Sequence, residues 1–133
     1  MPSPITISVK DENFAGKVLQ EVNIGFKSET VTVREIIEER VRQEVNSYNN
    51  RMPEYFNGLI EPSDAEKTLN GYKVKHKKPI DAEKQVYVAL DAFQKNAFFV
   101  LIDSQQHTSL DQPILLHKDT HISFVKLTPL VGG

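Results

Sequence analysis

Cysteine and histidine, which often act as nucleophiles, general bases or metal ligands, provide few candidates for chemistry in this chain. The 133-residue sequence contains no cysteine, which excludes disulfide bonds, thiolate metal sites and a cysteine nucleophile. The histidines do not recur at the spacing of metal ligands on a helix, although two of them flank a predicted turn. We interpret all four as surface residues: His76, His107, His117 and His121.

Paired aspartates could supply a general acid and a general base. Asp103, Asp111 and Asp119 are the candidates, but each falls in a predicted turn, where aspartate commonly serves as a cap or turn residue. No combination of nucleophile, base and oxyanion-binding group emerges from the pattern. We therefore predict that the chain is not an enzyme and that it has no catalytic residue, bound cofactor or metal site.

The end of the chain offers a different chemistry, because the sequence finishes on Gly132-Gly133. Glycine has no side chain, so a glycine pair can pass through a narrow slot that other residues would block. Pro129 favours an extended stem just before the pair. The alternative interpretation is a frayed terminus without a chemical role.

Composition and charge are those of an ordinary globular protein. Hydrophobic residues make up 39% of the chain and charged residues 26%, and the length fits one domain. No apolar run is long enough for a membrane span, and the first residues lack the features of a signal peptide. The net charge of -2 gives no reason to expect nucleic acid or a membrane as a partner. We expect a cytoplasmic monomer.

The first 50 residues predict a β-hairpin followed by a helix. Ile5, Ile7 and Val9 alternate with polar residues, residues 11–16 supply a turn, and a second alternating run covers residues 18–26. Thr32 then has the capping-box spacing to a glutamate three residues later, ahead of apolar residues at helical spacing. The prediction is an amphipathic helix of about four turns that packs on the hairpin and ends near Asn50.

The segment 49–96 is less regular, and we predict that it forms a helical insertion. Ser63 and Glu66 have capping-box spacing, which predicts a short helix beginning there. A longer helix is predicted from Asp81, as its N-cap, to Asn96.

The C-terminal third returns to strands. The continuous apolar run at residues 97–102 predicts a central strand covered on both faces or nearly so. Two further segments, residues 114–116 and 122–127, predict strands on either side of a turn at residues 118–120. Because strands and helices are segregated along the chain, the pattern indicates an α+β domain with helices on one face of a mixed sheet.

This order of elements resembles the β-grasp fold of ubiquitin-like proteins. The similarity is most specific at residues 110–114, residues 118–124 and the tail at residues 129–133, Pro-Leu-Val-Gly-Gly. These segments resemble even more closely the small sulfur carriers of molybdopterin and thiamine synthesis, which end in a turn, a strand, a proline-containing tail and Gly-Gly.

The resemblance covers residues 4–48 and 97–133. It implies a single ubiquitin-like β-grasp domain over residues 1–133, interrupted by the insertion at residues 49–96 and followed by a flexible tail at residues 128–133.

The resemblance further implies that the carboxylate of Gly133 is the reacting group. A partner enzyme of the adenylating, ubiquitin-activating type would activate it, with ATP and Mg²⁺ bound on that enzyme, and would contact the sheet face next to the tail. The residues implied for activation and conjugation are Gly132 and Gly133, and those implied for recognition by the activating enzyme are Thr128, Pro129, Leu130 and Val131. Ubiquitin has arginines around the corresponding leucine, so a dedicated cognate enzyme is expected here.

Three functions remain open. A protein modifier would pass from the adenylate to a thiol conjugating enzyme and then to a target, and a deconjugating protease would remove it. A sulfur carrier would instead receive sulfur from a sulfur-transfer enzyme and form a C-terminal thiocarboxylate for cofactor biosynthesis. A non-catalytic binding module would leave the tail idle. The insertion at residues 49–96 favours the modifier, because a minimal carrier does not need it.

Overall fold

The computed structural model describes residues 3–51, 55–56, 58–59, 65–68, 71–74 and 79–127. These ranges form an α+β fold with a mixed sheet and two helices. The elements, in chain order, are β1 (Ile5–Asn13), β2 (Val18–Phe26), β3 (Thr30–Thr32), α1 (Val33–Arg51), β4 (Tyr55–Phe56), β5 (Ala65–Thr68), β6 (Gly71–Val74), α2 (Ala82–Gln94), β7 (Phe98–Ile102), β8 (Gln105–His107), β9 (Pro113–Leu115) and β10 (Ile122–Lys126).

Contacts divide the chain into two compact units. The first unit comprises Met1–Ile36 and Ala92–Gly133, and the second comprises Ile37–Asp91. The predicted insertion at residues 49–96 overlaps the second unit but starts twelve residues later than Ile37. The prediction of one β-grasp domain over the whole chain stays a prediction.

The first unit contains a five-stranded sheet with the strand order β2-β1-β10-β7-β8. The hairpin of β1 and β2 is antiparallel, as predicted, and the pairing of β1 with β10 is parallel. Strand β7 runs antiparallel to both of its neighbours, β10 and β8. Strand β10, the final strand within the described residues, is therefore an interior strand, held by hydrogen bonds on both sides.

A compact turn closes the hairpin of β1 and β2. The side-chain Oδ1 of Asn13 accepts hydrogen bonds from the backbone N–H groups of Ala15 and Lys17, at 3.0 and 2.9 Å. Gly16 has a φ of 87°, a left-handed conformation that glycine adopts without steric cost. Strand β1 extends into the segment that the sequence predicts as a turn, because this asparagine can close the turn later in the chain.

Both helices start at the predicted caps. The N–H of Glu35 donates to Oγ1 of Thr32 at 3.2 Å, and the N–H of Thr32 donates to Oε1 of Glu35 at 3.2 Å, which confirms the capping box. At α2, Oδ1 of Asp81 accepts from the N–H groups of Glu83 and Lys84 at 3.1 and 3.3 Å. These contacts satisfy backbone donors that a helix N-terminus leaves unpaired.

One face of the five-stranded sheet, which we call the inner face, is buried. Its apolar residues alternate along the strands, and facing residues in register lie on the same side. They are Ile7, Val9, Ile24, Phe26, Phe98, Val100, Ile102, Ile122 and Phe124, each no more than 6% exposed. Within this core the ring centroid of Phe98 lies 5.8 Å from that of Phe93 and 6.1 Å from that of Phe124.

The second unit corrects the prediction of a purely helical insertion. Where a short helix is predicted, residues Ala65–Thr68 form strand β5, which pairs with β6 in a three-stranded sheet of order β4-β6-β5. Ser63, the predicted cap, lies outside the described residues. The pairing runs from Ala65 opposite Val74 to Thr68 opposite Gly71, and it prevails over the local capping pattern. Helix α2 agrees with its prediction.

Side chains of α1 hold two other segments of the second unit. Glu44 forms an ion pair with the buried Arg40 and accepts a hydrogen bond from the N–H of Leu59 at 2.9 Å. Asn49 bonds both backbone groups of Ile80, accepting from its N–H at 2.8 Å and donating to its carbonyl oxygen at 3.0 Å. These bonds attach Leu59, between β4 and β5, and Ile80, after β6, to one helix.

The C-terminal third contains the predicted strands and one strand that was not predicted. The strand predicted at residues 114–116 forms as β9, Pro113–Leu115, and pairs with β3 in a separate two-stranded sheet. Strand β8 was not predicted, because Gln105, Gln106 and His107 lack apolar alternation. It forms because Asp103 and Ser104 have φ values of 49° and 68°, which close a two-residue hairpin turn with β7.

Candidate functional site at the tail-bearing end of the sheet

The residues predicted for activation and for recognition by the activating enzyme lie outside the described residues: Thr128, Pro129, Leu130, Val131, Gly132 and Gly133. The structure describes where this tail begins, since β10 ends at Lys126 and is followed by Leu127. Because β10 is an interior strand, its last residue pairs on both sides, with Asn13 of β1 and Phe98 of β7. The tail therefore starts from a point fixed by two neighbouring strands.

A buried carboxylate lies at this end of the sheet. Asp11, on the inner face, is 0% exposed. Its Oδ2 accepts a hydrogen bond from Nε2 of Gln20 at 2.6 Å and lies 3.7 Å from Nζ of Lys126, whose side chain is 26% exposed. The group links β1, β2 and the last residue of β10. Sequence reasoning missed it, because an aspartate in a predicted turn gives no sign that it will be buried.

The other face of the sheet, the outer face, carries half-buried apolar residues near the start of the tail. Phe99 and Leu101 of β7 lie on this face, and so does Val125 of β10, which is directly opposite Phe99. We call these three residues the outer-face patch. The inner residues of β7 are buried and its outer residues are half-buried, which agrees with the prediction of a strand covered on both faces or nearly so.

Charged residues of β1 border the outer-face patch. Glu12 is in register with Val125, and Lys10 is in register with Ser123 on the same face. On the far side of Lys10, Glu21 of β2 is its cross-strand partner. Charges of both signs therefore lie beside the three apolar residues of the patch.

The tip of the hairpin exposes three more apolar residues. Phe14, Val18 and Leu19 are 73%, 45% and 50% exposed. The register of β1 and β2 shifts between Asp11 and Glu12, and this bulge turns adjacent apolar residues of β2 outward. Because Asn13 pairs with the last residue of β10, the tip lies at the end of the sheet from which the tail departs. The sequence signal that could have indicated this surface is the pair of successive apolar residues Val18 and Leu19 in an otherwise alternating strand.

Two of the predicted turn aspartates, Asp103 and Asp111, have structural partners. Asp103 and His121 exchange two hydrogen bonds, with the N–H of Asp103 donating to the carbonyl oxygen of His121 at 2.8 Å and the N–H of His121 donating to Oδ1 of Asp103 at 2.9 Å. Asp111 lies 3.6 Å from Arg34 in an exposed ion pair. Asp119 lies exposed in a turn. The structure does not bring the three aspartates together.

The histidines are likewise dispersed. His117 and His121 are exposed, His107 is half-buried, and His76 lies outside the described residues. In the described part of the chain, no three histidine, aspartate or glutamate side chains are grouped so that they could hold a metal ion. Within the same ranges, neither helix combines the length and the apolar character needed to cross a membrane.

Comparisons with known proteins identify no relative of this chain. A scan against protein-family models finds no match, and searches of curated proteins and of solved structures find no similar chain.

Proposed function

We propose that this chain is a ubiquitin-like protein modifier of β-grasp fold, whose Gly133 carboxylate is activated by a cognate enzyme and joined to a target. The observation that carries the proposal is the relation between the Gly-Gly tail and the sheet. The tail follows β10, an interior strand parallel to β1, within a sheet that begins with an antiparallel hairpin. This arrangement is compatible with a β-grasp fold and supports the resemblance seen in the sequence.

The proposed chemistry needs partners, because a carboxylate does not react with amines or thiols by itself. A carboxylate oxygen of Gly133 attacks the α-phosphorus of ATP on the activating enzyme, and pyrophosphate leaves. A thiolate of the enzyme attacks the acyl carbon and expels AMP, which produces a thioester. A target amine then displaces the thiol and forms an isopeptide bond. The thiols belong to the partners, since this chain has no cysteine.

The outer-face patch is the surface that we assign to the activating enzyme. Gly133 lies seven residues after Lys126, so its carboxylate can be at most about 24 Å from that residue in a fully extended chain. An enzyme that holds the carboxylate is therefore close enough to contact Phe99, Leu101 and Val125. Simultaneous binding of the patch and the tail would raise the effective concentration of the carboxylate in the enzyme's active site.

We expect this chemistry to take place in the cytoplasm, where ATP is supplied. The two alternative functions predict different states of the same carboxylate: a thiocarboxylate for a sulfur carrier and an unmodified group for a binding module. One measurement distinguishes these states.

The test is mass spectrometry of the C-terminal peptide from an N-terminally tagged chain expressed in its native host. The proposal predicts tails joined through Gly133 to side chains of other proteins. A matched variant that lacks Gly132 and Gly133 should form no such adduct and should keep the melting temperature of the intact chain. A free tail with one carboxylate oxygen replaced by sulfur would overturn the proposal in favour of a sulfur carrier. An unmodified carboxylate throughout would favour a binding module.

A further inference from the structure

Asp11 places a buried carboxylate next to the end of β10. It is 0% exposed on the inner face, beside apolar side chains such as Phe124 as well as Gln20, and burying a charge is costly unless the charge is paired. Its cationic neighbour is the last residue of the last strand, Lys126, at 3.7 Å. The ammonium group of Lys126, two residues before the tail begins, is thus linked to the buried carboxylate of Asp11 on β1.

The same strand end carries one of the three residues of the outer-face patch. Val125 precedes Lys126 and faces the opposite side of the sheet, beside Phe99. If the final residues of β10 frayed, Val125 would leave the outer-face patch and the tail would start from an earlier, unfixed point. The ends of strands open more easily than their centres unless side-chain contacts hold them.

We propose that Asp11 is a positioning residue for the tail, and this inference rests on the proposed function. By holding Lys126, Asp11 keeps the last residues of β10 in register between β1 and β7. The outer-face patch and the Gly133 carboxylate are then separated by a constant length of chain, so that one enzyme can engage both. Asp11 touches no reacting atom and acts through Lys126.

The first test measures the strand end directly, by amide hydrogen exchange with NMR detection on the full chain. Asp11→Asn keeps the shape of the side chain and removes its charge, whereas Lys126→Met keeps the aliphatic stem and removes the ammonium group. Each change should accelerate exchange at the amides of Val125 and Lys126 by about ten-fold relative to the amide of Ile7, since hydrogen bonds and ion pairs with charged groups contribute on this scale. Equal acceleration at all three amides, or none, would overturn the inference.

Two comparisons make the exchange test specific. The double variant should resemble the single variants instead of adding their effects, because both remove the same contact. The matched controls are Asp119→Asn and Lys118→Met, the same chemical changes in an exposed turn, and they should leave exchange at Val125 unchanged.

The second test measures adduct formation in a lysate of the native host with added ATP, as the tagged chain is titrated. Asp11→Asn should raise the chain concentration that gives the half-maximal rate by about ten-fold while the maximal rate stays unchanged. Loss of folded protein would instead lower the apparent active concentration of the variant in a manner that circular dichroism detects. An unchanged half-saturating concentration for Asp11→Asn would refute the positioning role.

The two proposals fail in distinguishable ways. If the intact chain forms no adduct that depends on Gly133, the proposed function is wrong, and the exchange measurement alone decides whether Asp11 fixes the end of β10. If the intact chain forms adducts and Asp11→Asn forms them with the same concentration dependence, only the positioning role is wrong.

Discussion

Replacing Phe99 by alanine separates recognition from stability. The phenyl ring lies half-buried on the outer face, opposite Val125. A fully buried phenylalanine removes about 200 Å² from water, so half of that area at about 25 cal/mol per Å² corresponds to about 2.5 kcal/mol. For a chain of this length, the melting temperature should fall by about 9 °C. The variant should therefore remain folded at 25 °C.

The effect on adduct formation should be larger than this loss of stability implies. An aromatic residue at the centre of an interface commonly contributes 2 kcal/mol or more to binding, which would weaken capture by the activating enzyme about 30-fold. The assay is adduct formation by the tagged chain in a lysate of the native host with added ATP, measured at a chain concentration well below saturation.

Ile122 supplies the matched controls for stability. It lies on the inner face of β10 and is 1% exposed, so its truncation affects the core but not the outer-face patch. Ile122→Val should cost about 1 kcal/mol and Ile122→Ala about 3 kcal/mol, which brackets the change at Phe99. Adduct formation is then plotted against melting temperature for all three variants. If the point for Phe99→Ala lies on the line defined by the two Ile122 variants, the outer-face patch does not bind the enzyme.

Three further changes test the structure. Thr32→Ala removes the hydroxyl of the capping box and should lower the free energy of unfolding by about 1 kcal/mol in urea titrations; no change would mean that the cap is not formed. Burial raises the pKa of Tyr48 above its usual 10, so the folded state keeps this proton to higher pH than the unfolded chain does. The free energy of unfolding should consequently fall as pH rises above 10. Between pH 9 and 11, the free energy of unfolding of Tyr48→Phe should fall less steeply than that of the intact chain; parallel curves of unfolding free energy against pH would exclude this residue as the cause. Changing Asp103-Ser104 to Asn-Gly should stabilise the chain by about 0.5 kcal/mol in thermal unfolding, because both positions have positive φ, and a loss of stability would contradict the turn assignment.

Local signals in the sequence were sufficient where neighbouring residues decide the structure. The capping box at Thr32 and the N-cap at Asp81 both have the predicted hydrogen bonds. The alternation of Ile5, Ile7 and Val9 correctly predicted a strand whose inner residues are buried. Each of these features depends on contacts within a few residues, so that composition and spacing are enough to identify them.

Local signals failed where distant pairing decided the outcome. The capping pattern near Glu66 predicted a helix, but pairing with β6 makes this segment a strand. Strand β8 has no apolar pattern and forms because a two-residue turn returns it to β7. Propensity and capping contribute only about 1 kcal/mol each, which a ladder of cross-strand contacts can exceed.

The sequence by itself determined the α+β character of this protein, the caps of its helices and the Gly-Gly tail as its candidate for chemistry. Tertiary structure decided what surrounds the beginning of that tail. The parallel pairing of β1 with β10 brings Asp11 to Lys126, residues more than a hundred positions apart, and the alternation of β7 and β10 brings Phe99 to Val125 on the opposite face. These neighbours follow from strand order and register, which depend on the burial of the whole inner face and not on any local pattern.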